Sequence, residues 1–139
     1  MNAAADPASV VRDYLAAMRS GDRQAAYAYF ADDVVGHVPG RSPPAGVRRG
    51  RDSVIEYIET VVGAARGDVE IELVDQLTGA GHVALLVVEH LAVDGRRPVE
   101  IHRCNVYRVV GGRIAEIRIY EGDQYAADEL HGAIGHQGA

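Results

Sequence analysis

Six polar side chains fall on segments whose hydrophobic pattern predicts burial, and together they could move a proton. Histidine titrates near neutral pH, and burial against apolar walls raises the pKa of a carboxylate, so either group can act as an acid or a base. Arginine, asparagine and tyrosine can hold an oxygen atom that gains negative charge. The six residues are Tyr14, His37, His90, Arg103, Asn105 and Glu121.

Two strands near the end of the chain can bring several of these side chains into one cavity. Neighbouring strand residues point to opposite faces, so Arg103 and Asn105 share a face, and Glu121 shares one with the aliphatic residues of the last strand. Aliphatic walls with one polar patch are typical of a small-molecule pocket. The predicted substrate-binding residues are Arg103, Asn105, His90, Tyr107, Ile119 and Ile117.

Each polar candidate also has a structural alternative. Tyr14 lies on the apolar stripe of a helix and can pack in the core, with its hydroxyl on any partner. His37 can fix the loop that follows it. Arg103 can pair with Glu89 or Glu121 across the sheet. No spacing of histidine, aspartate and glutamate indicates a metal site, and no cofactor is implied.

The first half of the chain has the spacing of helices. Apolar residues at helical intervals predict a first helix that ends at Gly21, and a second over residues 22–30. A short strand follows over residues 34–38 and ends at Pro39, which lacks a ladder donor. The loop HVPGRSPPAG, residues 37–46, leads to a third helix over residues 51–65. Its prolines restrict the backbone, which suits a rigid rim beside a cavity.

The second half changes to the spacing of strands. Four strand-like runs, beginning at VEIEL, HVALL, RPVEI and RIAEI, are joined by Thr78-Gly79-Ala80-Gly81, Asp94-Gly95 and Gly111-Gly112. Such joints predict hairpins, and therefore an antiparallel meander. Helices followed by strands indicate an α+β fold. We expect a cone-shaped fold in which three N-terminal helices pack on one strongly curved, mixed or antiparallel sheet and enclose an apolar cavity.

Length and composition limit the function classes. With 139 residues, the chain is expected to form one domain over residues 8–131, with a disordered N-terminus at 1–7. A short helix, DQYAADELH, is expected before a flexible tail at 132–139. His131 at the end of that helix and His136 in the tail would be solvated. The net charge of −6 argues against nucleic acid as a partner.

Neither a membrane nor an oxidising compartment is indicated. No apolar run reaches membrane-spanning length, and MNAAADPASV lacks the basic residue and apolar block of a secretory signal. The single cysteine, Cys104, excludes an internal disulfide framework. These features predict a cytoplasmic protein.

Several segments resemble a known family. YLAAMRSGD, YFADDVV, RGRDSVIEYI and NVYRVVGGRIAEIRIYEGDQY are similar to segments of the nuclear-transport-factor-2-like (NTF2-like) superfamily, over roughly residues 8–130. That superfamily includes ketosteroid isomerases and SnoaL-like polyketide cyclases. HVPGRSPPAGVRRGRDSV and YEGDQYAADEL look typical of the SnoaL-like branch. The resemblance to ketosteroid isomerase is more distant.

The resemblance assigns roles to individual residues. Tyr14 falls where ketosteroid isomerases keep the tyrosine that donates to the developing oxyanion. Their base position holds Val38 here, one place after His37, so the usual steroid isomerisation is not expected. SnoaL-like cyclases use an aspartate on or just after the last strand as acid and base, and the nearest carboxylates are Glu121 and Asp123. Asp123 can instead cap the terminal helix.

Two functional hypotheses follow. The first is a small cofactor-independent enzyme, of cyclase, isomerase or hydratase type, acting on a hydrophobic, polyketide-like molecule. The predicted catalytic residues are His37, Glu121, Asp123 and Tyr14. The second is a binding or dimerisation protein of the same fold that carries out no reaction. In either case the resemblance implies a homodimer formed through the sheet.

Overall fold

The computed structural model describes residues 6–66, 68–92 and 97–137, with the backbone alone for residues 133–137. It confirms the α+β class. The helices are α1 (Pro7–Ser20), α2 (Arg23–Tyr27), α3 (Arg51–Ala64) and α4 (Gln124–Gln137). The strands are β1 (Phe30–Val38), β2 (Gly46–Arg49), β3 (Val69–Thr78), β4 (His82–Leu91), β5 (Val99–Val110) and β6 (Arg113–Glu121).

The six strands form one mixed sheet in the order β2-β1-β6-β5-β4-β3. Strands β3 to β6 are an antiparallel meander, as predicted, while β1 runs parallel to β6. Gly111 and Gly112 have φ angles of 60° and 78°, the left-handed conformation that a tight hairpin turn requires. The predicted turn at Asp94-Gly95 lies outside the described residues.

Helix α1 covers the inner face of the sheet, by which we mean the face that packs against α1 and α3. Gly21 ends the helix with φ 84°, and its N–H points to the carbonyls of Ala17 and Met18. The ring centroid of Tyr14 lies 5.4 Å from that of Phe30 and 5.6 Å from that of Tyr107. These contacts join α1 to β1 and β5 at the centre of the core.

The first strand is longer than predicted, and β2 is additional. Strand β1 begins at Phe30. Its register against β6 shifts between Phe30 and Val35, in the part of the strand where Asp32 and Asp33 are exposed. Strand β2 then pairs antiparallel with β1, so the proline-rich loop connects a hairpin.

That loop is attached to the C-terminal helix. Gly40 has φ 98°, and a Cβ at this position would lie 2.1 Å from Oδ1 of Asp128 on α4. The backbone N–H of Arg41 donates to the same oxygen at 3.2 Å. The loop is therefore fixed against α4.

Helix α4 is longer than the terminal helix expected from the sequence, and it continues to Gln137 where a tail from residue 132 is predicted. Ala127, Leu130 and His131 form its buried side at helical spacing. Leu130 packs with Leu91 and Ile101 in a second apolar cluster. The prediction that His131 is solvated is wrong, since only 1% of the residue is exposed.

Among the described residues, no helix is long and apolar enough to cross a membrane.

Candidate functional site

A pocket with a volume of about 110 Å³ lies between α1, α3 and the inner face of the sheet. Its walls are mainly aliphatic. Alternate residues of β4, β5 and β6 supply one side, and the apolar stripes of α1 and α3 supply the other. The apolar lining residues are Leu15, Met18, Val38, Val54, Ile58, Val61, Val62, Val69, Ile71, Leu85, Val87, Ile117 and Ile119.

The polar lining of this pocket includes a carboxylate and a guanidinium from neighbouring strands. Nη1 of Arg103 lies 3.3 Å from Oε2 of Glu89. Behind them, Glu121 accepts from Nε of Arg103 at 3.1 Å and from Nη2 at 3.0 Å. Arg103 therefore pairs across the sheet with both Glu89 and Glu121, as the structural alternative to substrate binding predicts for one of them. Glu121 itself is not among the residues that line the pocket.

Burial and charge act in opposite directions within this ion-paired group. Burial lowers the pKa of Arg103, but the charges of Glu89 and Glu121 outweigh it, so the pKa is raised and the guanidinium stays protonated. Burial also raises the pKa of Glu121, against the lowering effect of Arg103. Breaking the pair would leave these charges buried without compensation.

Three tyrosines and one asparagine complete the polar lining near this group. Burial raises the pKa of Tyr14, Tyr57 and Tyr107, that of Tyr57 to about 12, so all three remain hydrogen-bond donors at neutral pH. The side chain of Asn105 hydrogen-bonds to Tyr107, and this contact partly offsets the rise that burial causes in the pKa of Tyr107. Oδ1 of Asn105 is buried and has no partner among the described residues.

His37 borders the pocket, but its imidazole is directed away from it. Nε2 lies 2.8 Å from Oε2 of Glu116, and this hydrogen bond is the main cause that lowers the pKa of Glu116. His37 pairs with Arg118 on β6, so its side chain shares the face of Glu116 and Arg118. Ile117 and Ile119 point to the opposite, pocket face. The imidazole therefore does not point into the pocket, where the predicted catalytic role would require it.

His90 and Asp123 also lie outside the residues that line the pocket. Nε2 of His90 is 3.2 Å from Oε1 of Glu72, on the outer face of the sheet. Asp123 is exposed, and its carboxylate accepts from the backbone N–H of Ala126 at 3.1 Å, which makes it the cap of α4. The placement of His90 differs from the substrate-binding position expected from the sequence, whereas that of Asp123 agrees with its alternative role as a helix cap. The other predicted residues, Tyr14, Arg103, Asn105, Tyr107, Ile117 and Ile119, line the pocket.

Glu89 was not selected from the sequence as a site residue, although a signal for it exists. It continues the two-residue period of Val83, Leu85 and Val87 on β4 and so puts a carboxylate on an apolar face. A carboxylate at that position is unusual enough to mark a site.

His131 was also missed, because nothing local in the sequence predicts where α4 docks. Its ring meets that of Tyr57 edge-on at 6.0 Å, and both ring nitrogens lack a partner among the described residues. Burial, followed by the charge of Arg103, lowers its pKa to about 4, so the imidazole is neutral at neutral pH. Within the described ranges, no three histidine, cysteine, aspartate or glutamate side chains are grouped to hold a metal ion.

Comparison with known proteins identifies the family. The family model for the SnoaL-like domain matches residues 11–117. The chain belongs to this family. The match confirms the resemblance inferred from the sequence, and with it the NTF2-like superfamily.

The SnoaL-like chain has relatives among both sequences and structures. An uncharacterized protein of Mycobacterium tuberculosis is 29% identical over 121 residues, covering 87% of this chain and 92% of that protein. Bal32a, from a soil-derived mobile gene cassette, is 27% identical with a TM-score of 0.85, covering 94% and 99% of the two chains. The Mycobacterium tuberculosis protein Rv0760c, solved with estradiol-17beta-hemisuccinate, is 22% identical with a TM-score of 0.69, covering 82% and 92%.

Proposed function

We propose that this protein is a small cofactor-independent enzyme that transfers a proton on a hydrophobic, polyketide-like molecule, in a cyclisation, isomerisation or hydration. The observation that carries the proposal is Glu89, a carboxylate in the lining of a pocket whose walls are mainly aliphatic. A carboxylate beside bound apolar substrate is a usable general base. The pocket has the apolar walls and few polar groups of a small-molecule site.

The geometry suggests a division of roles. Glu89 would accept a proton from a carbon beside a carbonyl group and return it at a second position. Tyr14 would donate a hydrogen bond to the oxygen that gains charge, as the family resemblance implies. Burial is the main cause of the raised pKa of Tyr14, and the charge of Glu89 contributes to it. Glu121 would act as a positioning residue by holding Arg103.

A non-catalytic binding protein is the second candidate, and one observation favours it. Arg103 is occupied by two glutamates and His37 by Glu116, so two of the predicted catalytic and oxygen-binding groups are already paired. Such a protein would bind the same ligands in the same pocket and leave them unchanged.

The test begins with amide NMR titration against steroid enones, polyketide-like aromatic phenols and terpene epoxides. We expect saturable shifts at Tyr14 and Arg103 with at least one class. Turnover of the bound compound should then fall about 100-fold or more in Glu89→Gln, with its affinity changed only a few-fold. Glu72→Gln, an outer-face control, and His37→Ala should keep full turnover. Binding without turnover in the wild type would favour the second candidate.

We further propose a homodimer formed through the outer face of the sheet. Val74 and Tyr120 lie on this face with 60% and 54% of their surface exposed, beside a shallow groove that also contains Leu86, Val88 and Cys104. Sedimentation velocity should give a dimer for the wild type and a monomer for Val74→Glu/Tyr120→Glu. Tyr125→Glu, on the 90% exposed Tyr125 of α4, is the matched control and should remain dimeric. A monomeric wild type would contradict the proposal.

A further inference from the structure

Both arginines that border the pocket already have anionic partners. Arg103 is bonded to Glu89 and, through two hydrogen bonds, to Glu121. The guanidinium of Arg48 lies 3.2 Å from Oε1 of Glu56 and also donates to two backbone carbonyls. A ligand carboxylate would therefore have to compete with these partners for the N–H donors of either guanidinium.

The charge around Arg103 is negative in sum. One guanidinium faces two carboxylates, and these three side chains are at most 15% exposed. Arg48 is balanced by Glu56. An anionic group entering this end of the pocket would lose its hydration and meet a net negative charge, which disfavours the charged form.

Among the described residues that line the pocket, the buried side-chain atom that lacks a partner is an acceptor. Oδ1 of Asn105 is buried and has no hydrogen bond from any described residue, whereas the side chain of Asn105 hydrogen-bonds to Tyr107. A buried polar atom without a partner costs free energy. A ligand that donates a hydrogen bond to it therefore gains more binding free energy than it would by exchanging one hydrogen bond to water for another. Glu89 offers further acceptor capacity in the same lining.

We propose that this pocket selects neutral ligands with a hydroxyl group, such as an alcohol or a phenol, and that it rejects carboxylates. The hydroxyl group of the ligand would donate a hydrogen bond to Oδ1 of Asn105. This inference rests on the proposed small-molecule function and narrows its ligand class. It also replaces the expectation from the sequence that Arg103 holds a substrate oxygen atom that gains negative charge.

The experiment uses four bicyclic aromatic probes that differ at one substituent: 2-methylnaphthalene, 2-naphthol, 2-methoxynaphthalene and 2-naphthoate. Affinities are measured at neutral pH by amide NMR titration of the full chain. We expect 2-naphthol to bind roughly tenfold more tightly than 2-methylnaphthalene and 2-methoxynaphthalene. We expect 2-naphthoate to bind at least about tenfold more weakly than 2-naphthol.

Two variants assign the effect to residues. In Asn105→Leu, 2-naphthol should lose its advantage, while unchanged binding of 2-methylnaphthalene shows that the pocket is still folded. In Glu89→Gln, the charge around Arg103 becomes neutral, so 2-naphthoate should bind roughly tenfold more tightly than it binds the wild type.

Three results would overturn the inference. The first is equal affinity of the wild type for 2-naphthol and 2-methoxynaphthalene, and the second is binding of 2-naphthoate to the wild type as tightly as 2-naphthol. The third is an Asn105→Leu variant that still binds 2-naphthol more tightly than 2-methylnaphthalene. In each case binding of 2-methylnaphthalene leaves the proposed pocket function standing. If none of the four probes binds, the proposed function fails and this inference fails with it.

Discussion

Replacing Arg103 by methionine should destabilise the protein strongly, because it leaves two carboxylates buried without their cation. The side chains of Arg103 and Glu121 are 5% and 2% exposed, and the second carboxylate, Glu89, is 15% exposed. Removing one partner of a buried ion pair costs about 3–5 kcal/mol. A domain of this size has a free energy of unfolding of roughly 5–15 kcal/mol, so the loss is a large fraction of the total.

The loss should depend on pH in a defined direction. Burial raises the pKa of Glu121 above 4.5, and Arg103 opposes that rise. Without Arg103 the folded-state pKa rises further, so the folded state binds this proton more tightly than the unfolded state. Stability is then retained below the unfolded pKa and lost as pH rises through the folded pKa. The difference between Arg103→Met and wild type should therefore widen from about pH 4.5 to about pH 7.

Urea unfolding followed by circular dichroism at the two pH values measures this difference. Arg118→Met is the matched control, because Arg118 pairs with Glu116 at 3.3 Å on the outer face with 47% of its side chain exposed. That exposed pair should contribute no more than about 1 kcal/mol. A loss for Arg103→Met that equals the control, with no dependence on pH, would refute the reasoning.

Three further perturbations have clear expected outcomes. Because the pKa of His131 is about 4 in the folded state against 6.5 for the free group, the free energy of unfolding should fall by about 2–3 kcal/mol as pH drops from about 7 to about 4; His131→Leu should flatten this slope in urea titrations, and an unchanged slope would contradict the assignment. Gly40→Ala, at φ 98° and against Asp128, should lower the free energy of unfolding by about 1–3 kcal/mol, whereas Gly63→Ala, in open space on α3, should raise it by about 0.5–1 kcal/mol. Asp123→Ala should cost about 1 kcal/mol through loss of the α4 cap and leave ligand affinity and any turnover unchanged; a loss of turnover would restore Asp123 as a catalytic residue.

The elements with strong local signals were predicted well. The apolar stripe of α1 and the glycine that ends it identify the helix, and paired glycines identify the turn between β5 and β6. Alternation along β5 also placed Arg103, Asn105 and Tyr107 on one face, because the strand period is regular there. These features depend on residues close together in the chain.

The acid–base set was predicted less well, because it depends on contacts between distant segments. The face to which His37 points follows from its pairing with Arg118, 81 positions later in the sequence. The docking of α4, which buries His131 against Tyr57 and receives the loop at Gly40, likewise has no local signal.

By itself, the sequence determined the fold class, the family and an apolar pocket with Arg103 and Asn105 in its wall, since period, turn chemistry and motif are local properties. Only the tertiary structure decided which charges meet. Strand pairing put Glu121 beside Arg103 and left Glu89 at the pocket surface, and it turned His37 to the opposite face. Electrostatic interactions depend on distance in space and on burial, which are set only when the sheet and helices have packed together.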